Sequence, residues 1–348
     1  MTTFAGPTGL TIFVLTLGGA LTTPALAESV PSKPGRPDLH GTWTNATLTP
    51  WERPKALGGR AVLTAEEVAQ LEGGASRSAE LAQKPTDPDA TVETLPNDCS
   101  GGRTWCNYNA QWTEPGSTVM RVDGAPRSSL VTEPSDGRVP YRPGKSPAVI
   151  PVAERASTSA RGPEEEGNLD HPEQRGLGER CLASQSIREG AILTPTLYNN
   201  TYQILQTAEA VVIVVEMSHD ARIIRLNEAP PNNPVPAWFG TSVGRYEGDA
   251  LVVQTSGFHP AQLKNLSPKL KLTEWFRRVG PDRLHYRFRV EDPETFTQPW
   301  GGEYEFGRSN GPLYEYACHE GNRGLEGTLA GARQAEKEAA EAAAKSSR

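Results

Sequence analysis

Cysteine is scarce in this sequence of 348 residues, and none of the four stands at C-x-x-C spacing. That argues against a metal site held through cysteine, and no His is spaced to complete a finger. There are six histidines and no H-E-x-x-H. The chain also lacks a P-loop and a dinucleotide fingerprint, so nucleotide cofactors are not expected and no cofactor is assigned. Formal net charge is −7, without a basic patch interleaved with aromatics; this excludes a nucleic-acid partner. No apolar run reaches the ~18 residues that span a bilayer.

What is present begins with an apolar stretch, Leu10 to Leu21, followed by "TPALA". This reads as a secretory signal peptide over residues 1–27, cleaved after the Ala-x-Ala site at Ala25 and Ala27. It predicts a secreted, periplasmic protein with no membrane span. The cysteines agree with export. Cys99 and Cys106 bracket a Gly-rich loop, and Cys181 and Cys318 lie far apart. Of the three possible pairings, Cys99–Cys106 with Cys181–Cys318 is preferred, because a short Gly-rich segment closes easily on itself.

Residues 28–195 are rich in Pro, Gly and charge, and predict an irregular N-terminal wrap. One helix is expected there, capped by Thr64 with Glu67 three residues on. A hairpin is expected with its turn near Asp123-Gly124. Residues 140–178 carry almost no apolar periodicity and predict a surface strap. From residue 196 to 322 short β-branched and aromatic segments alternate with turn signals: "TYQILQ", "VVIVVEM", "ARIIRL", "SVGRYEG", "ALVVQTS", "LKLTEWFRRV", "RLHYRFRVE", "GGEYEF" and "LYEYAC". Nine such segments predict a mainly β fold, an antiparallel meander closed into a barrel or sandwich. Residues 323–348 read as a solvated Ala/Glu/Lys helix.

Two resemblances follow from particular residues. Gly41-Thr42-Trp43 on a first strand ahead of a meander resembles the lipocalin-type (calycin) barrels. The stretches "YNNTYQILQT", "EMSHDARIIRL", "GRYEGDALVVQTSGF", "VEDPETFTQPW" and "YEYACHEGN" resemble a large group of secreted bacterial proteins of unassigned function. The resemblance implies a shared fold and a shared site, and no reaction.

Gly240-Thr241-Ser242-Val243-Gly244 matches the G-x-S-x-G of serine esterases. The nucleophile elbow needs a strand into the serine and a helix out of it. Here a Pro-rich loop leads in and a hairpin turning at Gly248-Asp249 leads out, so Ser242 is not expected to be a nucleophile.

Three clusters could carry chemistry. In the hairpin "LKLTEWFRRVGPDRLHYRFRVE", a turn at Pro281 sets Val279 opposite Arg283. Leu272, Glu274, Phe276 and Arg278 then share a face with Val290, Phe288, Tyr286 and Leu284. Glu274 becomes a carboxylate among rings, where burial favours the protonated form that a general acid needs, unless Arg278 pairs with it. In "VEMSHDARIIR", His219 with Asp220 at a turn can act as an oriented base, and Arg222 can hold a substrate oxygen. In "YEYACHEGN", a bridge through Cys318 would fix His319 and Glu320, with Tyr316 beside them. Arg245 and Trp300 are lesser binding candidates. His219, His319 and Glu320 also form a conceivable two-His-one-carboxylate metal set, though no metal is assigned.

These residues predict a cofactor-free acid/base enzyme (a lyase, hydratase or isomerase) acting on a small hydrophobic ligand, aromatic or terpenoid, in a barrel cavity. The catalytic candidates are His219, Asp220, Glu274, His319 and Glu320; the binding candidates are Arg222, Arg245, Tyr286, Tyr316 and Trp300. A non-catalytic carrier with the same cavity is the alternative, and a metal-dependent hydrolase or oxygenase the third.

Overall fold

The computed structural model describes residues 36–82, 116–145, 169–182, 187–188, 191–196, 200–217, 220–263 and 266–346. Residues 1–27, Cys99, Cys106, His219 and the 146–168 part of the expected strap lie outside the described residues.

Period-two alternation builds the barrel wall. β8 (Ala210–Val215) buries Val211, Ile213 and Val215 and turns the intervening residues outward. β9 (Asp220–Leu226) buries Arg222, Ile224 and Leu226. The same rule runs through β7 (Thr201–Gln206), β12 (Lys271–Gly280) and β13 (Arg283–Glu291), because successive strand side chains point to opposite faces. With β10 (Thr241–Glu247), β11 (Ala250–Ser256), β14 (Trp300–Arg308) and β1 (Gly41–Thr44), nine strands pair in sequence, and β1 pairs with both β7 and β14. The sheet is thereby closed and its edges removed.

The barrel is mixed, where an antiparallel meander was expected. β9 and β10 run parallel, with Ser242 opposite Ile224. Between them residues 227–240 carry Pro230, Pro231, Pro234 and Pro236, which cannot donate ladder hydrogen bonds. This stretch recrosses the wall without forming a strand, so β10 starts at the same end as β9.

"LYEYAC" is the second departure. Leu313–Cys318 forms no strand, and Tyr314 is largely exposed. Its alternation is strand-like, but β14 already pairs with β13 and β1, leaving no free edge. The barrel's ninth strand is instead β1, which carries the Gly41-Thr42-Trp43 expected on a first strand ahead of the meander.

The β12–β13 hairpin keeps the expected facing pairs Leu272–Val290, Glu274–Phe288, Phe276–Tyr286 and Arg278–Leu284. Val279 does not face Arg283. Gly280 does, and a bulge at Val279 absorbs the extra residue.

The remainder of the N-terminal region packs onto the barrel. β4 (Val131–Glu133) pairs with β14 at Gly301 and Gly302. A Cβ on Gly302 would sit 2.2 Å from the Leu130 carbonyl oxygen, so this approach requires glycine. Trp51 stacks on Phe288 at 5.5 Å. α1 (Ala65–Ala82) has the expected capping box: Thr64 N–H donates to Glu67 at 2.8 Å, and Glu67 N–H donates to Thr64 Oγ1 at 3.3 Å. β2 (Arg121–Val122) and β3 (Ala125–Pro126) flank the turn at Asp123 and Gly124, both at positive φ. A two-residue turn of this handedness suits a hairpin. Cys181 and Cys318 form the expected disulfide. The short helix α2 (Pro260–Leu263) follows β11, and the exposed helix α3 (Arg323–Ser346) ends the described chain. Among the described residues no helix is long and apolar enough to cross a membrane.

Both ends of the barrel are covered. At the end where β7, β12 and β14 finish, residues 36–40 lie across the opening. Leu39 N–H donates to Gln206 Oε1 at 2.7 Å, and Arg278 donates to the Asp38 carbonyl at 3.0 Å. Beneath them Trp43 is fully buried, with the guanidinium groups of Arg278 and Arg308 each 5.4 Å from its ring. At the other end, where β7, β9, β10 and β12 begin, residues 191–194 enter the lumen. They include β6 (Ile192–Leu193), which pairs with β5 (Ile187–Arg188).

Candidate functional site

The inward face of the barrel is aromatic along β12, β13 and β14 and aliphatic along β8, β9 and β11. Tyr286 stands at its centre, 5.0 Å from Phe276, 5.1 Å from Tyr304 and 5.5 Å from Phe306 between ring centroids. One buried charged network crosses this lining. Arg222 of β9 reaches over β10 and β11 to Glu274 of β12. Nη1 donates to Glu274 Oε1 at 3.0 Å, and Nη2 donates to Oε2. Arg222 Nε donates to Ser242 Oγ at 2.9 Å, Nη2 to Thr255 Oγ1 at 2.6 Å, and Nη1 to the Ala191 carbonyl at 3.3 Å. A guanidinium has five N–H donors, and all five are engaged.

Glu274 accepts a third hydrogen bond, from the Tyr286 hydroxyl at 2.9 Å. Burial opposes the charge on Arg222, but the Glu274 carboxylate outweighs it and raises the guanidinium above its ordinary value. Burial, reinforced by the Glu274 charge, pushes the Tyr286 phenol well above its usual value. That phenol stays neutral, donating to Glu274 and accepting from the Leu193 N–H at 3.4 Å.

Strand register explains the assembly. Arg222 faces Ile213, Glu274 faces Val253, and Ser242 faces both Thr255 and Ile224. Ser242 therefore lies within a strand, on the lumen side, with Arg222 and Thr255 on its hydroxyl. It stands on no strand-to-helix turn. Gly244 serves packing, since a Cβ there would sit 2.7 Å from Ile224 Cγ2.

The structure brings together three of the sequence candidates, Arg222, Glu274 and Tyr286, and separates the rest. Glu274 pairs with Arg222; Arg278, the partner considered from sequence, turns to Asp38 and Trp43 instead. Asp220 opens β9 at the rim, half-buried. His319 and Glu320 are exposed beside the bridged Cys318, and Tyr316 is half-buried on the same segment. This segment passes the same rim, for the Tyr314 N–H donates to Glu216 at 2.8 Å. Arg245 lies outside the wall in an exposed pair with Glu247 at 2.6 Å. Trp300 is fully buried against Phe288 and Phe296. Among the described residues no three His, Cys, Asp or Glu side chains are grouped as a metal ion requires.

Thr255 was missed from sequence. A signal existed: the two-residue turn at Gly248-Asp249 fixes Thr255 opposite Ser242. Asn45, Tyr202 and Tyr304, which hold residues 193 and 194, were also missed, as was that segment's place in the lumen. A surface depression of about 350 Å³, lined by Lys269, Lys271, Glu291 and Pro293, involves no member of the network.

No protein-family model matches this sequence, and comparison with curated proteins finds no match.

Proposed function

We propose that this protein is a non-catalytic binding protein that holds a small apolar compound, aromatic or terpenoid, within its barrel. The observation that carries this reading is the closure of the Arg222 network. Every donor of Arg222 is engaged within the protein, and Glu274 accepts three hydrogen bonds. Among the described residues, the ionisable groups of this network are matched within the protein, and the rest of the lumen wall is aromatic and aliphatic. A closed barrel of about eight strands has room for its own side chains or for one small ligand.

A cofactor-free acid/base enzyme is the second reading. It draws on Asp220 at the rim, with His219 beside it in sequence. It does not draw on the full candidate set, since Glu274 is in the lumen while His319 and Glu320 face solvent.

Export to the periplasm is part of the proposal. Disulfides persist in oxidising compartments, and the Cys181–Cys318 bridge is present behind a sequence that opens with an apolar run and an Ala-x-Ala site.

The test titrates purified protein with a panel of monocyclic aromatics and terpenoid alcohols, following tryptophan emission, and then recovers each compound. Saturable binding at one site with unchanged compound is expected. Conversion above the blank, lost in His219→Gln, would replace this reading with the enzyme.

A further inference from the structure

Ala191, Ile192, Leu193 and Thr194 are fully buried. They occupy the lumen without joining the barrel's sheet, since β6 pairs with β5. Their backbone is held by side chains from around the wall. Arg222 donates to the Ala191 carbonyl at 3.3 Å. The Leu193 N–H donates to the Tyr286 hydroxyl at 3.4 Å, and through it the segment reaches Glu274. The Leu193 carbonyl accepts from Tyr304 and from Asn45 Nδ2, the latter at 2.9 Å. The Thr194 carbonyl accepts from Tyr202 at 3.4 Å.

Backbone buried inside a barrel must find hydrogen-bond partners, and here side chains converging from several strands supply them. Ligand sites combine apolar walls with a few placed polar groups that fix orientation, and this lumen has that form around one extended stretch of backbone. The acceptor at residue 191, the donor at 193 and the acceptor at 193 define the pattern. Two aliphatic side chains, Ile192 and Leu193, complete it.

We infer that the lumen is a binding site for a small apolar amide, such as a short hydrophobic peptide or an N-acyl amide, and that Ala191–Thr194 is its built-in competitor. The inference rests on the binding-protein reading and names an amide in place of an aromatic or terpenoid ligand. The incoming carbonyl takes the donors of Arg222 or Tyr304, and its N–H takes Tyr286. The Ala191–Thr194 segment withdraws as the ligand enters. Because the competitor is tethered, it acts at a high effective concentration and sets the affinity that an external ligand must exceed.

The probe is N-acetyl-Ile-Leu-amide, compared with an analogue in which an ester oxygen replaces the Leu N–H. In the full-length protein, saturation with the amide should abolish hydrogen-exchange protection at Leu193, and the ester analogue should bind at least tenfold more weakly. The double variant Ile192→Gly/Leu193→Gly keeps the backbone groups and weakens the anchor, and should bind the amide at least tenfold more tightly. Amide binding with Leu193 protection intact would overturn the displacement. Equal affinity for amide and ester would overturn the ligand class. Absence of amide binding in both wild type and the folded double variant would overturn the inference as a whole. Each of these outcomes leaves the binding-protein reading standing if a terpenoid alcohol or aromatic binds. If the double variant does not fold, Leu193→Ala takes its place, and absence of amide binding in both wild type and that variant overturns the inference.

Discussion

Arg222 and Glu274 meet inside the barrel as a two-point ion pair, although β10 and β11 separate their strands around the wall. The pair is almost wholly removed from solvent, with side-chain exposure of 2% and 0%. Charges taken out of water are stabilising only when each is matched, so neither residue tolerates loss of the other.

Arg222→Met and Glu274→Leu should each destabilise the protein by about 3–5 kcal/mol, because each leaves an uncompensated buried charge. The double variant should recover most of that loss, since two apolar groups then fill the space. Denaturant unfolding of the four proteins checks this. Additive losses in the double variant would show that the two residues act independently.

How far this network was legible from sequence depends on distance along the chain. The β12–β13 register followed from local alternation, which set Glu274 opposite Phe288 on the inward face. Its partner did not follow. Arg278, four residues away, was the nearer candidate, and choosing Arg222 requires knowing that the sheet closes. The parallel step from β9 to β10 was hidden for a related reason: prolines announce a loop but not the direction in which the chain leaves it. Leu313–Cys318 misled because its alternation is genuine while the strand edge it would need is already taken. Ala191–Thr194, "AILT", is too short to show a period, and nothing in it announces a place in the lumen.

Ser242→Ala should behave as a core change. It removes the acceptor of Arg222 Nε and the partner of Thr255, and should lower stability by about 1–3 kcal/mol, the range for orphaning a buried polar group. A fluorophosphonate should leave wild-type Ser242 unlabelled. Labelling at this residue, seen by peptide mass spectrometry, would restore the esterase that its glycines suggest.

Glu67 provides a local pH signature at the start of α1. Its hydrogen bonds to Arg60, each 2.6 Å, and to the Thr64 N–H hold its carboxyl at about 2 rather than 4.5. A carboxyl depressed in the folded state stabilises fully above its unfolded value. That contribution is lost as pH falls from about 4.5 through about 2. A carbon-detected NMR titration of Glu67 should give a midpoint near the lower figure. A midpoint at the ordinary glutamate value would mean that the capping pair does not form in solution.

The Cys181–Cys318 bridge closes a loop of 137 residue steps. In the chain-entropy account such a loop contributes roughly 5 kcal/mol, before any native-state penalty. The double variant Cys181→Ser/Cys318→Ser should therefore be destabilised by about 2–5 kcal/mol. Equilibrium unfolding measures it, and peptide mapping without reductant checks the pairing. Unchanged stability would show that the bridge joins segments already held together by packing.

On the binding-protein proposal, the barrel holds a compound without transforming it. Native mass spectrometry of the full-length protein with a saturating terpenoid alcohol or monocyclic aromatic, followed by recovery of the bound compound, tests this most directly. One compound per chain, released at its original mass, is the expected result. A bound product of altered mass that depends on the protein, or no adduct with any compound of these classes, would contradict it.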